Sequence, residues 1–94
     1  MGHCKPDEIK DLKDVLDEIL TWDKVKEKGF GKLYLKSMGF LHFHSKEGRR
    51  WADVRDGERW GSEIDMPFEA SASKKKRFIK EVKKRYKNTI EFKK

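Results

Sequence analysis

The chain has a single cysteine, two prolines and no long apolar segment. With only Cys4 present, an internal disulfide is excluded, so noncovalent packing must hold the fold. No apolar run approaches the roughly 18 residues of a membrane-spanning helix, and no apolar core of a secretory signal is present. The sequence therefore predicts a soluble, cytoplasmic protein without a membrane partner.

Several sequence motifs that mark catalytic or nucleic-acid-binding sites are also absent. No G-x-S-x-G turn supplies an activated serine, no glycine-rich loop joins a strand to a helix, and no motif of a known nucleic-acid-binding module occurs. No internal repeat or low-complexity linker divides the chain. Since 94 residues suit one core, we predict a single domain over residues 1–94.

Charge is abundant and unevenly distributed. Charged residues make up 44% of the chain, and the formal net charge is +7. Residues 74–94 carry 11 Lys or Arg against 2 Asp or Glu, whereas the segment 6–23 is acidic. The high Lys and Glu content fits a protein from a hot-growing organism, in which surface ion-pair networks contribute more to stability. The basic balance therefore belongs to the C-terminal segment and not to the whole surface.

Apolar spacing predicts two helices. Pro6 suits a first helical position, and an amphipathic helix is predicted over 6–21. Its apolar stripe consists of Ile9, Leu12, Leu16, Ile19 and Leu20. Ser71 or Ser73 can cap a second helix over about 71–88. The apolar side of this second helix consists of Phe78, Ile79, Val82 and Tyr86.

Two alternating segments, 40–44 and 51–55, predict a β-hairpin. If Glu47-Gly48 is its two-residue loop, the polar residues share one face. We call this face the sheet front and define it by His42, His44, Trp51, Asp53 and Arg55. The predicted pairs on it are His44 with Trp51, His42 with Asp53, and Phe40 with Arg55. On the opposite face, Phe43 meets Ala52 and Leu41 meets Val54.

Two further strands are predicted before the hairpin. Val25 suits the inward position of a short edge strand within 22–28, whose lysines discourage sheet-to-sheet aggregation. Leu33 and Leu35 alternate inward in a strand over 32–36.

The segment 58–66 is predicted as a strand whose register stays open. A two-residue turn would set Trp60 opposite Asp53 on the sheet front, and a bulged three-residue turn would set it opposite Ala52 in the core. Residues 89–92 also alternate, as a short last strand would. Together the elements predict an α+β fold. It is a two-layer sandwich, an antiparallel meander of three to five strands with an N-terminal and a C-terminal helix on one face.

The run Gly39-Phe40-Leu41-His42-Phe43-His44 resembles the Gly-x-x-His-x-His segment of a small family called luciferase-like. Gly29-Phe30-Gly31 before it and Ala52-Asp53-Val54 after it stand at similar places in that family. The similarity covers roughly residues 9–66, and the Lys-rich C-terminal helix departs from the family pattern. The resemblance implies the fold of helix, strands and His-x-His hairpin. It implies no known chemistry, since the family name is not evidence for light emission.

The sheet front is the candidate place for chemistry. His42 and His44, two residues apart on one strand, can both reach a divalent metal with Asp53 as third ligand, and this donor set suits Zn²⁺, Fe²⁺, Ni²⁺ or Mn²⁺. Without a metal, a histidine beside an aspartate can act as a general base. The blander and more common alternative is that both histidines are half-exposed sheet residues, stacked on Trp51 and hydrogen-bonded to Asp53.

Binding without catalysis is the leading interpretation of the same face. The predicted ligand-binding residues are Tyr34, Phe40, His42, His44, Trp51, Asp53 and Arg55. Exposed aromatic residues also mark interfaces between proteins, so a homodimer that buries the sheet front is a second interpretation.

The basic helix supports a different function. Cations in its first turn are disfavoured by the helix dipole unless an anion binds there. Binding of nucleic acid without sequence preference is therefore an alternative. The residues predicted for it are Lys74, Lys75, Lys76, Arg77, Lys80, Lys84 and Arg85. The other interpretation of this helix is a solvated face that is partly paired with the acidic first helix.

Overall fold

The computed structural model describes residues 2–92. Its strands are β1 (Gly2–His3), β2 (Val25–Glu27), β3 (Lys32–Leu35), β4 (Met38–Lys46), β5 (Arg49–Asp56), β6 (Arg59–Trp60) and β7 (Ile64–Asp65). Its helices are α1 (Pro6–Ile9), α2 (Lys13–Leu20) and α3 (Ala72–Phe92), with a 3-10 turn at Lys10–Leu12. The strands form one antiparallel sheet in the order β2-β3-β4-β5-β6, with β1 beside β4 and β7 beside β5.

The predicted α+β arrangement is confirmed, with more strands than expected because β1 joins the sheet and the predicted strand over 58–66 is divided into β6 and β7. The helices and the inward side chains of the strands share one apolar core, in which Phe43 of β4 stacks on Phe78 of α3 with ring centroids 5.8 Å apart. Val25, Leu33 and Leu35 are buried in this core as predicted. A separate result concerns membranes: none of the helices within residues 2–92 is both long enough and apolar enough to cross one.

The β4–β5 hairpin has the predicted register. Across the strands, His42 lies opposite Asp53 and His44 opposite Trp51, and the core face pairs Leu41 with Val54 and Phe43 with Ala52. The loop residues Glu47 and Gly48 both have positive φ angles, 51° and 81°, as a tight two-residue hairpin turn requires. Turn chemistry and side-chain alternation therefore select the same pairing.

Phe40 does not lie on the sheet front, so that prediction is wrong. The ladder between β3 and β4 shifts by one residue, since Leu33 pairs with Leu41 while Tyr34 pairs with Gly39. Phe40 is the extra residue of this bulge and turns into the core beside Leu41, where it is fully buried. Its ring meets Tyr86 of α3 edge-on, with centroids 6.3 Å apart.

The predicted strand over 58–66 is broken into β6 and β7. The turn before it uses Gly57 and Glu58 as loop residues, so Trp60 pairs with Arg55. Neither predicted partner of Trp60 is correct, although the residue does lie on the sheet front. In β7, Ile64 pairs with Ala52, one residue out of step with β6. Residues 61–63 absorb this shift.

The C-terminal helix is longer than predicted, so the short strand at 89–92 is wrong. Helix α3 continues to Phe92, and Thr89 is fully buried in it. The Thr89 hydroxyl donates to the Arg85 carbonyl at 2.8 Å and accepts from the Gly57 amide at 3.0 Å. The last turn of α3 is thereby tied to the β5–β6 turn.

The N-terminal helix is also not continuous over 6–21. It tightens into the 3-10 turn after Ile9, at the point where the Glu8 carbonyl accepts a hydrogen bond from Arg50 Nη1 at 2.6 Å. The predicted apolar stripe nevertheless faces the core. Ile9, Leu12, Leu16 and Ile19 are buried and Leu20 is half-buried.

Arg50 fastens this N-terminal segment to the chain that follows β7. Its side chain is fully buried and donates to both oxygens of Asp11, at 2.7 and 3.0 Å. The guanidinium also donates to three backbone carbonyls. The Glu8 carbonyl lies at 2.6 Å, and the Met66 and Pro67 carbonyls lie at 2.8 Å each. All five N–H groups of the guanidinium therefore have an acceptor.

Acidification is expected to weaken the fold through Asp11. The hydrogen bonds from Arg50 hold the pKa of this carboxyl below its ordinary value. Because the pKa is lower in the folded chain, this contribution to stability is complete above the ordinary carboxyl pKa of about 4 and is lost as the pH falls through the lowered value. Urea midpoints measured from about pH 7 to about pH 2 should fall more steeply for the wild type than for Asp11→Asn. Equal acid dependence in both proteins would contradict this account.

Candidate functional site

The sheet front lies on the side of the sheet opposite the apolar core, and no helix within residues 2–92 covers it. Strand β4 contributes His42 and His44, and β5 contributes Trp51, Asp53 and Arg55. Tyr34 reaches the same face from β3, because it alternates with Leu33 and Leu35, whose side chains are buried in the core. Of the predicted ligand-binding residues, the structure brings all together except Phe40.

One half of the sheet front is a closed stack of side chains. His44 Nε2 lies 2.9 Å from Asp53 Oδ2, and the imidazole stacks on Trp51 with centroids 5.6 Å apart and planes inclined by 22°. The Arg49 guanidinium covers Trp51 at 4.4 Å and is itself paired with Glu63 and Asp65, each at 2.8 Å. These contacts leave Trp51 only 7% exposed.

The other half of the sheet front is a group of rings around a glycine. We call it the ring niche and define it by Tyr34, Gly39, His42, Arg55 and Trp60. The His42 ring lies 5.2 Å from the Trp60 ring and 6.2 Å from the Tyr34 ring, between centroids. A Cβ on Gly39 would lie 3.4 Å from His42 Nε2 and 3.6 Å from the Trp60 ring. A side chain at position 39 would therefore contact both rings and occupy the space between them.

Arg55 closes one side of the ring niche. Its Nε donates to the Gly39 carbonyl at 2.7 Å, and its Nη1 donates to the Glu58 carbonyl at 3.0 Å. The guanidinium also lies over the Trp60 ring, 4.5 Å from the ring centroid. Within residues 2–92, Nη2 of Arg55 has no protein acceptor. A positively charged guanidinium, fixed in place and with Nη2 still able to donate, therefore borders the rings.

The predicted metal ligands are not arranged as a metal centre. Within the described part of the chain, no group of three or more His, Cys, Asp or Glu side chains could hold a metal ion. The rings of His42 and His44 are 6.5 Å apart, and His44 Nε2 contacts the Asp53 carboxylate directly. This geometry matches the alternative interpretation for His44, which is stacked on Trp51 and hydrogen-bonded to Asp53.

The structure adds no nucleophile to the His44–Asp53 pair. Cys4 is buried, and burial raises the pKa of its thiol, so the reactive thiolate is disfavoured. Its backbone amide is used by the fold, donating to the Phe43 carbonyl at 3.1 Å.

The predicted nucleic-acid-binding residues are divided by the structure. Lys75 reaches back to the first helical segment, where its Nζ donates to the Asp11 carbonyl at 2.9 Å and lies 3.3 Å from Asp14. Lys76, Arg77, Lys80 and Lys84 are exposed, and Lys74 is half-exposed. The acidic helical segment therefore pairs with one lysine of α3, Lys75. This agrees with the alternative interpretation, a solvated face that is partly paired with the first helix.

Arg85 is buried and cannot contact nucleic acid, so its assignment to that surface is wrong. Its Nη1 donates to the Ser62 and Val54 carbonyls at 2.9 and 3.2 Å, and its Nε pairs with Glu81 at 3.0 Å. Gly61 makes room for the guanidinium, since a Cβ there would lie 2.7 Å from Nη1. The helical period could have predicted that Arg85 is buried, because position 85 lies on the same helix face as the buried residues Phe78, Val82 and Thr89.

Sequence reasoning also missed Trp60 and Gly39 as members of the site. The open register left Trp60 between the sheet front and the core, and Gly39, which has no side chain, was not considered as part of a site. Comparison of the chain with models of protein families, with curated proteins and with solved structures finds no match. The resemblance to the luciferase-like family therefore stays a prediction, and function has to be argued from the geometry of the side chains.

Proposed function

We propose that the protein is a binding module whose ring niche recognises a small planar ligand with an anionic group. The observation that carries this proposal is the convergence of three rings and one guanidinium around Gly39. Ligand sites commonly combine aromatic walls with a few fixed polar groups that orient the ligand.

The aromatic part of the niche favours a flat ligand. Trp60 is 43% exposed, although burial of so large a ring would be favourable. Tyr34 and His42 are half-buried beside it, so the exposed surface is made of ring faces and edges. A planar ligand that stacks on these rings would remove apolar area from water without moving the backbone.

The cationic part of the niche favours an anionic group on that ligand. Arg55 is held by two backbone carbonyls, so its position is fixed before a ligand arrives. Its Nη2 can donate to a carboxylate or a phosphate, and charge-assisted hydrogen bonds of this type are the strong ones. Lys32, which lies opposite His42 on the same face, adds a second positive charge.

The closed half of the sheet front supports this function as a scaffold. The stack of Arg49, Trp51 and His44 joins β4 to β5, and the His44–Asp53 contact crosses the same two strands. A niche built on fixed strands loses little conformational freedom on binding, which favours affinity.

Trp60→Ala is expected to weaken ligand binding by at least about fivefold, because stacking on one aromatic ring contributes about 1–3 kcal/mol. The probes are planar aromatic acids, namely benzoate, nicotinate and indole-3-acetate, titrated by NMR. Gly39→Ala is a second variant, since its Cβ fits without a clash but occupies the niche. Phe92→Ala, which removes an exposed ring from the helix layer, is the matched control.

Two results would contradict the proposal. The first is that none of the three acids binds the wild type. The second is that Trp60→Ala and Gly39→Ala bind as well as Phe92→Ala does. If the sheet front were buried in a homodimer instead, the apparent affinity for the acids would fall as protein concentration rises, and sedimentation would show the dimer.

A further inference from the structure

The outer face of α3 carries a groove that the ring niche does not use. It lies between α2 and α3 and has a volume of about 540 Å³. Trp22 forms its floor, with Ile79 and Asn88 beside it, and Glu18 is its one acidic lining residue. We call it the lysine groove, because five lysines line it: Lys76, Lys80, Lys83, Lys84 and Lys87.

The lysines of the groove form one stripe along the helix. Their spacing of three or four residues places them on one side of α3, and the stripe from Lys76 to Lys87 is about 16 Å long. Lys83 is held over the Trp22 ring at 4.5 Å, while Lys76, Lys80, Lys84 and Lys87 are exposed. The groove therefore presents a row of ammonium groups over an aromatic floor.

Within residues 2–92, no ion pair neutralises the charge of this row. Helix α3 contributes Lys75 to a pair with Asp14 and Arg85 to a pair with Glu81, and neither pair includes a lysine of the groove. Lys76 and Lys80, and likewise Lys80 and Lys84, are like charges four residues apart, which destabilises a helix. A bound polyanion would relieve this repulsion.

The backbone of α3 is firmly held under the groove. On the side facing the sheet, Arg85 binds the carbonyls of Val54 and Ser62, and Tyr86 donates to the Asp23 carbonyl at 2.8 Å. The lysines are therefore carried by a fixed helix, and only their side chains have to adjust to a ligand.

We propose that the lysine groove binds the phosphate backbone of a nucleic acid without reading its base sequence. Charge complementarity carries this assignment, since a regular row of phosphates matches a regular row of ammonium groups. The helix supplies no glutamine or asparagine pair aimed at base edges, and Asn88 donates instead to Asp56 at 2.8 Å. This site is separate from the ring niche, so either can exist without the other.

The test compares two variants that lose equal charge. Lys80→Gln/Lys84→Gln/Lys87→Gln removes three charges from the groove, and Lys10→Gln/Lys26→Gln/Lys36→Gln removes three exposed charges elsewhere. Glutamine keeps helix propensity close to that of lysine, and circular dichroism verifies the fold. Binding to labelled single-stranded and duplex oligonucleotides of about 20 nucleotides is measured by fluorescence anisotropy at several salt concentrations.

The wild type should bind with an affinity that falls steeply as salt rises. Each phosphate contact contributes about 0.7–0.9 to the slope of log affinity against log salt, so the groove variant should lose about 2 from that slope. Its affinity at low salt should fall at least about tenfold, and that of the control variant less than about threefold. Absence of binding at low salt, or equal loss in both variants, would overturn the proposal. Binding to phosphatidylserine vesicles and not to oligonucleotides would also overturn it.

Discussion

Replacement of Arg50 by alanine is expected to destabilise the protein by about 3–5 kcal/mol, because it removes a fully buried guanidinium and leaves its hydrogen-bond acceptors without a donor. The substitution leaves the Asp11 carboxylate without its bidentate donor and also leaves the carbonyls of Met66 and Pro67 without theirs. A domain of this size has a total stability of about 5–14 kcal/mol, so the loss is a large part of it. Urea unfolding followed by circular dichroism measures the effect.

The neighbouring arginine provides a matched control for this prediction. Arg49 is half-exposed and pairs with Glu63 and Asp65 on the surface, so Arg49→Ala should cost about 1 kcal/mol or less. Arg50→Lys keeps the charge but cannot reproduce the five donors, and it should lie closer to Arg50→Ala than to the wild type. If the substitutions at 49 and 50 had equal effects, the assignment of Arg50 as the link between the helix and the sheet would be wrong.

Arg85→Ala is expected to have the second largest effect, a loss of about 2–4 kcal/mol. The guanidinium joins α3 to the carbonyl of Val54 on β5 and to the irregular segment around Ser62. Hydrogen bonds to a charged group contribute about 1.5–3 kcal/mol each, and the buried carbonyls lose their donor when the side chain is removed. Thermal unfolding followed by circular dichroism gives the shift in midpoint.

Lys84→Ala is the control for Arg85, since the two residues are adjacent and Lys84 is exposed. Its free energy of unfolding should stay within about 0.5 kcal/mol of that of the wild type, as for other surface substitutions. Should Arg85→Ala and Lys84→Ala unfold at the same temperature, Arg85 would be a surface residue, as the sequence alone had predicted.

The parts of the fold that depend on local signals could be predicted from the sequence. The β4–β5 register followed from a two-residue loop and from alternation on both strands, which point to the same pairing. The apolar stripe of the first helix followed from its period. In both places the residues that decide the structure are close together in the chain.

The parts that depend on distant partners could not be predicted. The bulge at Phe40 is a property of the β3–β4 ladder and not of β4 alone, so alternation placed Phe40 on the wrong face. The Gly57-Glu58 turn sets Trp60 opposite Arg55, whereas β7 follows a register one residue away, and residues 61–63 absorb the difference. Arg50 and Arg85 are buried because their acceptors arrive from far away in the sequence, such as Asp11 for Arg50.

The candidate site shows the same division. His42, His44, Trp51, Asp53 and Arg55 could be placed on one face from the hairpin pattern alone, whereas the ring niche required the structure. Its rings meet over Gly39, which has no side chain to mark it in a hydropathy pattern. The direct contact of His44 with Asp53 agrees with the interpretation that the sequence already favoured over a metal site, a histidine stacked on Trp51 and hydrogen-bonded to Asp53.

The indole N–H signals of the three tryptophans test the central claim most directly, because each reports a different surface. Trp60 borders the ring niche, Trp51 lies in the closed half of the sheet front, and Trp22 forms the floor of the lysine groove. In a ¹H–¹⁵N NMR titration with benzoate, nicotinate or indole-3-acetate, the Trp60 signal should shift most and the Trp22 signal should stay in place. A shift confined to Trp22, or no shift at any of the three, would contradict the assignment of the ring niche as the ligand site.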